Sequence, residues 1–310
     1  MKIKKVLIIL MSVLWIVSCE QNIVKTTPIP SPVFLQGPLV TPVLSDQATI
    51  QWTTDMPCCS KVRYISNEVA ESDDTLEILN EEYRQEHWFT IKPLNDNQTY
   101  HFRAISTNQD QQSVTSQLLN FRTKISLNHC WSLFESGNYA EALQAFEALA
   151  DEESEEILLG LAWSSLRIDS LQQALENFEN LYTINYQNSN ALTGICIANY
   201  QIGLYLESII YGELLWQQNT EQPASPERPF YVFEHDTSIN NVDISIILAK
   251  AHLHYFRFDE VQKELDFLVP DNQLNSSDSA TWKIDISVFS SYESVLRAYV
   301  DSLQYWFEFL

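Results

Sequence analysis

Four stretches of this 310-residue chain carry one pattern: YAEALQAFEAL (139–149), LQQALENFENL (171–181), YLESIIYGELL (205–215) and FDEVQKELDFL (258–268). Their starts are 32, 34 and 53 residues apart. Tyr139, Leu171, Tyr205 and Phe258 share the first offset; Ala142, Ala174, Ser208 and Val261 share a second; Leu149, Leu181, Leu215 and Leu268 share a third. Upstream of each copy, small residues recur at two more offsets: Cys130, Ala162, Cys196 and Ala249, then Ser132, Ser164, Ala198 and Ala251. Apolar positions at helical spacing, with small residues on the preceding segment, describe two helices that approach closely. Repetition at this spacing describes an array of such pairs.

A period near 34 with two helices per unit resembles the tetratricopeptide repeat over about 125–268. Gly137-Asn138-Tyr139 and Gly203-Leu204-Tyr205 stand at the turn between helices, while Asp169 and Phe256 replace glycine there. The resemblance implies a concave face lined by the first helix of each unit and used to bind a protein or peptide. Carried onto this sequence, the lining residues are Trp131, Phe134, Trp163, Arg167, Asn199 and Tyr200. Residues 217–243, with Pro223, Pro226 and Pro229, read as an insertion in loop or edge conformation whose FYVF run folds back onto the helices. After 279, the spacing of Val295, Leu296, Tyr299, Leu303, Trp306 and Phe307 predicts a C-terminal capping helix. The helical repeat domain is thus expected over 125–310.

Before the repeat the texture is β. ATIQWTT (48–54) alternates, KVRYI (61–65) and HWFTI (87–91) read as short strands, and TYHFRAIS (99–106) and QLLNFRT (117–123) follow. Short strands separated by turn residues predict an antiparallel β-sandwich over 33–124. Trp52, TTDMPCCSKVRY (53–64), Leu94 with NDNQTY (95–100), and FRT (121–123) resemble a fibronectin type III domain of the kind that precedes purple acid phosphatases. That resemblance implies a tyrosine corner at Tyr100, with its hydroxyl tied to the preceding loop. The acidic segment 68–86 is longer than a tight connection needs and is expected to be mobile. The fold expected overall is a fibronectin III-like β-sandwich followed by a tetratricopeptide-like helical solenoid.

The first residues read as an export signal. MKIKK is basic, and VLIILMSVLWIV (6–17) is apolar but spans only about 18 Å, short of the ~30 Å hydrocarbon core. Ile16-Val17-Ser18-Cys19 resembles the lipobox of bacterial lipoproteins, which implies a signal peptide over 1–18 and lipidation of Cys19. Glu20, rather than aspartate, favours outer-membrane attachment. Several acyl chains make a stable tether where one is marginal. Residues 19–32, rich in Pro, Thr and Ser, read as the lipidated linker.

Removing 1–18 removes Lys2, Lys4 and Lys5, leaving 15 basic and 41 acidic residues and a formal charge of −26. Such a charge argues against nucleic acid or anionic headgroups as partners. Residues 125–218 hold 13 acidic side chains and one basic, Arg167.

Chemistry is sparse. The metal-ligand motifs of purple acid phosphatases need Gly-Asp and Gly-Asn-His, and none of the six glycines here is followed by either. The same scarcity removes the P-loop and the dinucleotide fingerprint. His252 and His254, two residues apart on a helix, do not face one another. His235-Asp236 lies in the insertion without a second ligand cluster, so no metal or cofactor is expected. Cys130 and Cys196 occupy small core positions. Cys58-Cys59 in a strand would point to opposite faces, with Cys59 expected in the core and Cys58 outside. The expectation is a non-enzymatic envelope protein that binds a protein or peptide. The rival is a lipoprotein that binds a glycan or small molecule on exposed tryptophans.

Overall fold

The computed structural model describes residues 30–66, 75–150, 154–218 and 231–303. The expected signal peptide, Cys19, Trp306 and Phe307 lie outside the described residues. In the N-terminal half, β1 (Phe34–Val43), β2 (Ala48–Ile65), β3 (Leu76–Ile91), β4 (Thr99–Thr107), β5 (Ser113–Thr115) and β6 (Leu119–Arg122) form one six-stranded antiparallel sheet. β3 pairs with both halves of β2 on one side. On the other side β1 takes 48–54 and β4 takes 59–65.

A single curled sheet therefore stands where two packed sheets were expected. The reason lies within TTDMPCCS. Pro57, which lacks an N–H, falls in a register shift between Thr53 and Cys58. There a strand can bend and continue instead of ending. Alternation persists through the bend, so Ala48, Ile50, Trp52, Cys58, Val62 and Tyr64 are all buried. Cys58 is accordingly inside and Cys59 only half-buried, the reverse of the expectation, and both are free thiols. The acidic stretch is strand from Leu76 onward, not a mobile connection, and Glu77 pairs across the ladder with Lys61 (3.0 Å) and Arg63. β1 was not anticipated because Gly37, Pro38 and Pro42 look like breakers; an edge strand with register shifts accommodates them. The Tyr100 hydroxyl accepts the Asn95 N–H at 2.8 Å, as the tyrosine-corner resemblance implied.

The C-terminal half is helical: α1 (Leu127–Glu135), α2 (Tyr139–Glu147), α3 (Glu155–Arg167), α4 (Leu171–Ile184), α5 (Ser189–Ile202), α6 (Tyr205–Gln218), α7 (Asn241–His254), α8 (Phe258–Leu268) and α9 (Tyr292–Leu303). α1/α2, α3/α4, α5/α6 and α7/α8 pack as pairs, and each pair packs on the next. The four turns between partners share one backbone geometry: Gly137, Asp169, Gly203 and Phe256 all have positive φ, at 80°, 64°, 90° and 55°. Asp169 and Phe256 therefore make the glycine turn without glycine. The shared small positions Ala142, Ala174, Ser208 and Val261 are fully buried. Ser132 is exposed, whereas Ser164, Ala198 and Ala251 are buried, because no earlier pair packs against α1.

A second size pattern repeats. Gly160 in α3 lies on Phe146 of α2, and Gly194 in α5 lies on Phe178 of α4; a Cβ at either glycine would come within 2.2 Å of the ring. At the next junction the sizes reverse, with Gly212 of α6 facing Leu248 of α7. α9 closes the array, burying Leu296 and Val300 against Leu253, Val261 and Leu265; Val295 is buried as well. The insertion is shorter than 217–243 suggested. α6 runs to Gln218, β7 (Val232–Phe233) and β8 (Asp236–Asn240) form a hairpin, and α7 starts at Asn241.

Candidate functional site: the first-helix face and its hairpin

The expected lining residues stand on the first helix of successive pairs. Ser126 caps α1 by accepting the His129 N–H, and Ser154 caps α3 by accepting the Glu156 N–H. Trp131 and Phe134 project from α1, and Trp163 and Arg167, one turn apart, from α3. The structure gathers these four into one cluster. They are not open to solvent, as a preformed binding face would require: Trp131, Phe134 and Trp163 are buried.

The cover is the chain's own β7–β8 hairpin. Phe233 stacks on Trp163 (4.5 Å between centroids, 24° between planes) and meets Trp131 and Phe134 edge-on at 6.2 and 6.0 Å. His235 lies flat on Trp131 (3.6 Å, 2°), and its Nδ1 is 2.8 Å from the Glu135 carboxylate. Arg167, the one cation of residues 125–218, forms an ion pair with Asp236 while its guanidinium covers the Tyr139 ring at 5.2 Å. Tyr231 donates its hydroxyl hydrogen to Asn190 Oδ1 at 2.9 Å, and Ile239 is fully buried. Beneath the hairpin, Trp163 Nε1 is buried with no hydrogen-bond partner among the described residues.

The charges at this junction are tuned by the cover. Burial works to raise the Asp236 carboxyl, but hydrogen bonds from Ser238 and Arg167, with the guanidinium charge, outweigh it and hold the group below the usual carboxylate range. Burial pushes Asp243, which accepts the Asn240 N–H at the start of α7, up to about 6. Burial also raises the Tyr231 hydroxyl.

Asn199 and Tyr200 do not join the cluster. Asn199 is buried and donates to Ile195 of its own helix at 3.0 Å. Tyr200 packs on Tyr205 at the third turn, 5.4 Å between centroids. Reading the sequence missed Tyr139, His235 and Asp236 as members of the site. The FYVF run gave the signal for Phe233, whereas His235-Asp236 was weighed only as a metal pair.

Burial raises the Cys130 and Cys196 thiols to about 11 and about 12, which keeps both protonated at neutral pH. Among the described residues, no three His, Cys, Asp or Glu side chains come together as a metal site would require.

No family model matches the chain. No curated protein is similar to it by sequence. Among solved structures, it is similar to MamA of AMB-1 at 16% identity, over 57% of this chain and 89% of that one, with a TM-score of 0.39. It is also similar to YrrB, described as a TPR protein with an unusual peptide-binding site, at 12% identity over 46% and 66% of the two chains, TM-score 0.36. PilF of Pseudomonas aeruginosa is similar at 16% identity over 47% and 63%, TM-score 0.36.

Proposed function

We propose that this chain is a non-enzymatic, lipid-anchored protein of the cell envelope. Its tetratricopeptide-like array acts as a protein-interaction scaffold, with Cys19 carrying the lipid and the outer membrane as its site of attachment. The fibronectin III-like sheet serves as spacer or second contact. One observation carries the reading: a β-hairpin, Tyr231–Asn240, already lies on the first-helix face, held by aromatic packing and an arginine–carboxylate pair. That combination of anchor and polar clamp is how protein interfaces concentrate their energy. Photo-crosslinking in cells from Glu135 and His254, which occupy equivalent repeat positions on α1 and α7, tests it. A recurring envelope protein supports the scaffold. Labelling with a radioactive fatty acid that is lost in Cys19→Ser tests the anchor.

The glycan-binding rival keeps one foothold. Trp131 and Trp163 are buried under the hairpin, but Trp88 on β3 is 55% exposed beside a shallow cavity lined by Gln36, Gln51 and Glu86. Loss of binding to a sugar panel on Trp88→Ala would favour it.

A further inference from the structure

We infer that the cluster of Trp131, Phe134, Trp163 and Arg167 is a two-point recognition site. Its partner is a tight-turn segment with an aromatic residue and, three positions on across the turn, a carboxylate, and its own Phe233 and Asp236 fill the site until that partner arrives. This rests on the scaffold reading and adds the chemistry of the partner.

The aromatic point is a cage. Phe233 is enclosed by a stacked indole and two edge-on rings, a geometry that suits a flat hydrocarbon side chain. The second point is the Arg167 guanidinium, held over Tyr139 and donating from Nη2 to the Asp236 carboxylate. It is the one Lys or Arg of α1 to α6, in a stretch with 13 acidic residues, so an acidic segment has a single place to register on that part of the face. Phe233 and Asp236 are directly paired in the β7–β8 ladder, which sets the distance between the two anchors.

Two features mark the hairpin as an exchangeable occupant. A two-stranded hairpin has little stability of its own and depends on what it docks against. It also leaves the Trp163 Nε1 donor unpartnered beneath it, a group a better-fitting segment could satisfy. An external segment that supplies both anchors and that acceptor would exchange for the hairpin without altering the helices.

The test uses the full-length chain in detergent. Hydrogen exchange of the wild type reads whether the hairpin opens alone. At least a hundredfold less protection for amides in 232–240 than for 244–251 of α7 is expected; equal protection would make the hairpin a permanent core element and overturn the inference. The opened variant F233A/D236A is then titrated with a labelled synthetic peptide of sequence YVFEHDTSIN, residues 231–240. Binding at least tenfold tighter than to wild type, reduced at least tenfold by adding Arg167→Ala, is the expected result. A folded opened variant that ignores the peptide, or that binds it equally without Arg167, overturns the inference. If that variant does not fold, the exchange measurement on the wild type decides alone. A partner crosslinked from His254 alongside a failed peptide titration would leave the scaffold standing and remove only this inference.

Discussion

Arg167 on α3 and Asp236 on β8, 69 residues apart in sequence, are ion-paired on the first-helix face with side chains only 12% and 15% exposed. Removing one partner leaves the other charge in a poorly hydrated place, which costs more than removing both. Asp236→Ala or Arg167→Ala should each lower stability by about 2 kcal/mol, with R167A/D236A losing clearly less than the sum. Urea unfolding of the four proteins checks this, and additive losses would show that the pair is not coupled.

Gly160 beneath the Phe146 ring makes a second prediction. Gly160→Ala should destabilise the array by roughly 1–3 kcal/mol, because the added Cβ would fall 2.2 Å from the ring. Adding Phe146→Leu should recover part of that loss. If Gly160→Ala unfolds at the wild-type urea concentration, the tight junction between α2 and α3 is not a constraint.

Equivalent turns should respond to opposite substitutions. At Gly203 a new Cβ meets nothing within 4 Å, so Gly203→Ala is penalised through its φ of 90° alone, by about 1 kcal/mol. Phe256 holds φ of 55° with a bulky side chain that is 64% exposed, so Phe256→Gly should raise stability by about 0.5 kcal/mol. Thermal unfolding of both variants compares the signs; a loss at Phe256→Gly would mean that its contact with Arg297 outweighs backbone relief.

In the sheet, His87 is buried against Trp52 with Nε2 at 3.1 Å from Thr54 Oγ1, and burial lowers its pKa to about 4. The unfolded chain, with histidine near 6.5, takes up the proton first as pH falls. Stability from this group is therefore complete above about pH 6.5 and declines toward pH 4, by up to about 3 kcal/mol. His87→Gln should flatten the pH dependence of unfolding between pH 7 and 4.5. An unchanged slope would place the acid sensitivity elsewhere.

The repeat was legible because its signals are local: small and apolar residues at helical spacing, recurring at 32 and 34 residues. Even Asp169 and Phe256, which break the glycine pattern, keep the left-handed turn because helix packing on both sides dictates it. The expected lining residues were half informative. Trp131, Phe134, Trp163 and Arg167 do share a surface, but their burial depends on pairings such as Trp131 with His235, 104 residues on, and no single sequence reports those. The sheet was misjudged where composition imitates a loop. Pro57 reads as a break and Glu81, Glu82 and Glu86 as a solvated connection, yet the register shift in β2 accommodates the first and the free edge of β3 the others.

Crosslinking in living cells from Glu135 and His254, followed by mass spectrometry, tests the central claim most directly. The account predicts one recurring envelope protein at both positions, its capture strengthened by F233A/D236A and lost when Arg167 is also replaced by alanine. A folded, anchored chain that captures no protein from either position would contradict the scaffold reading and favour a ligand at Trp88.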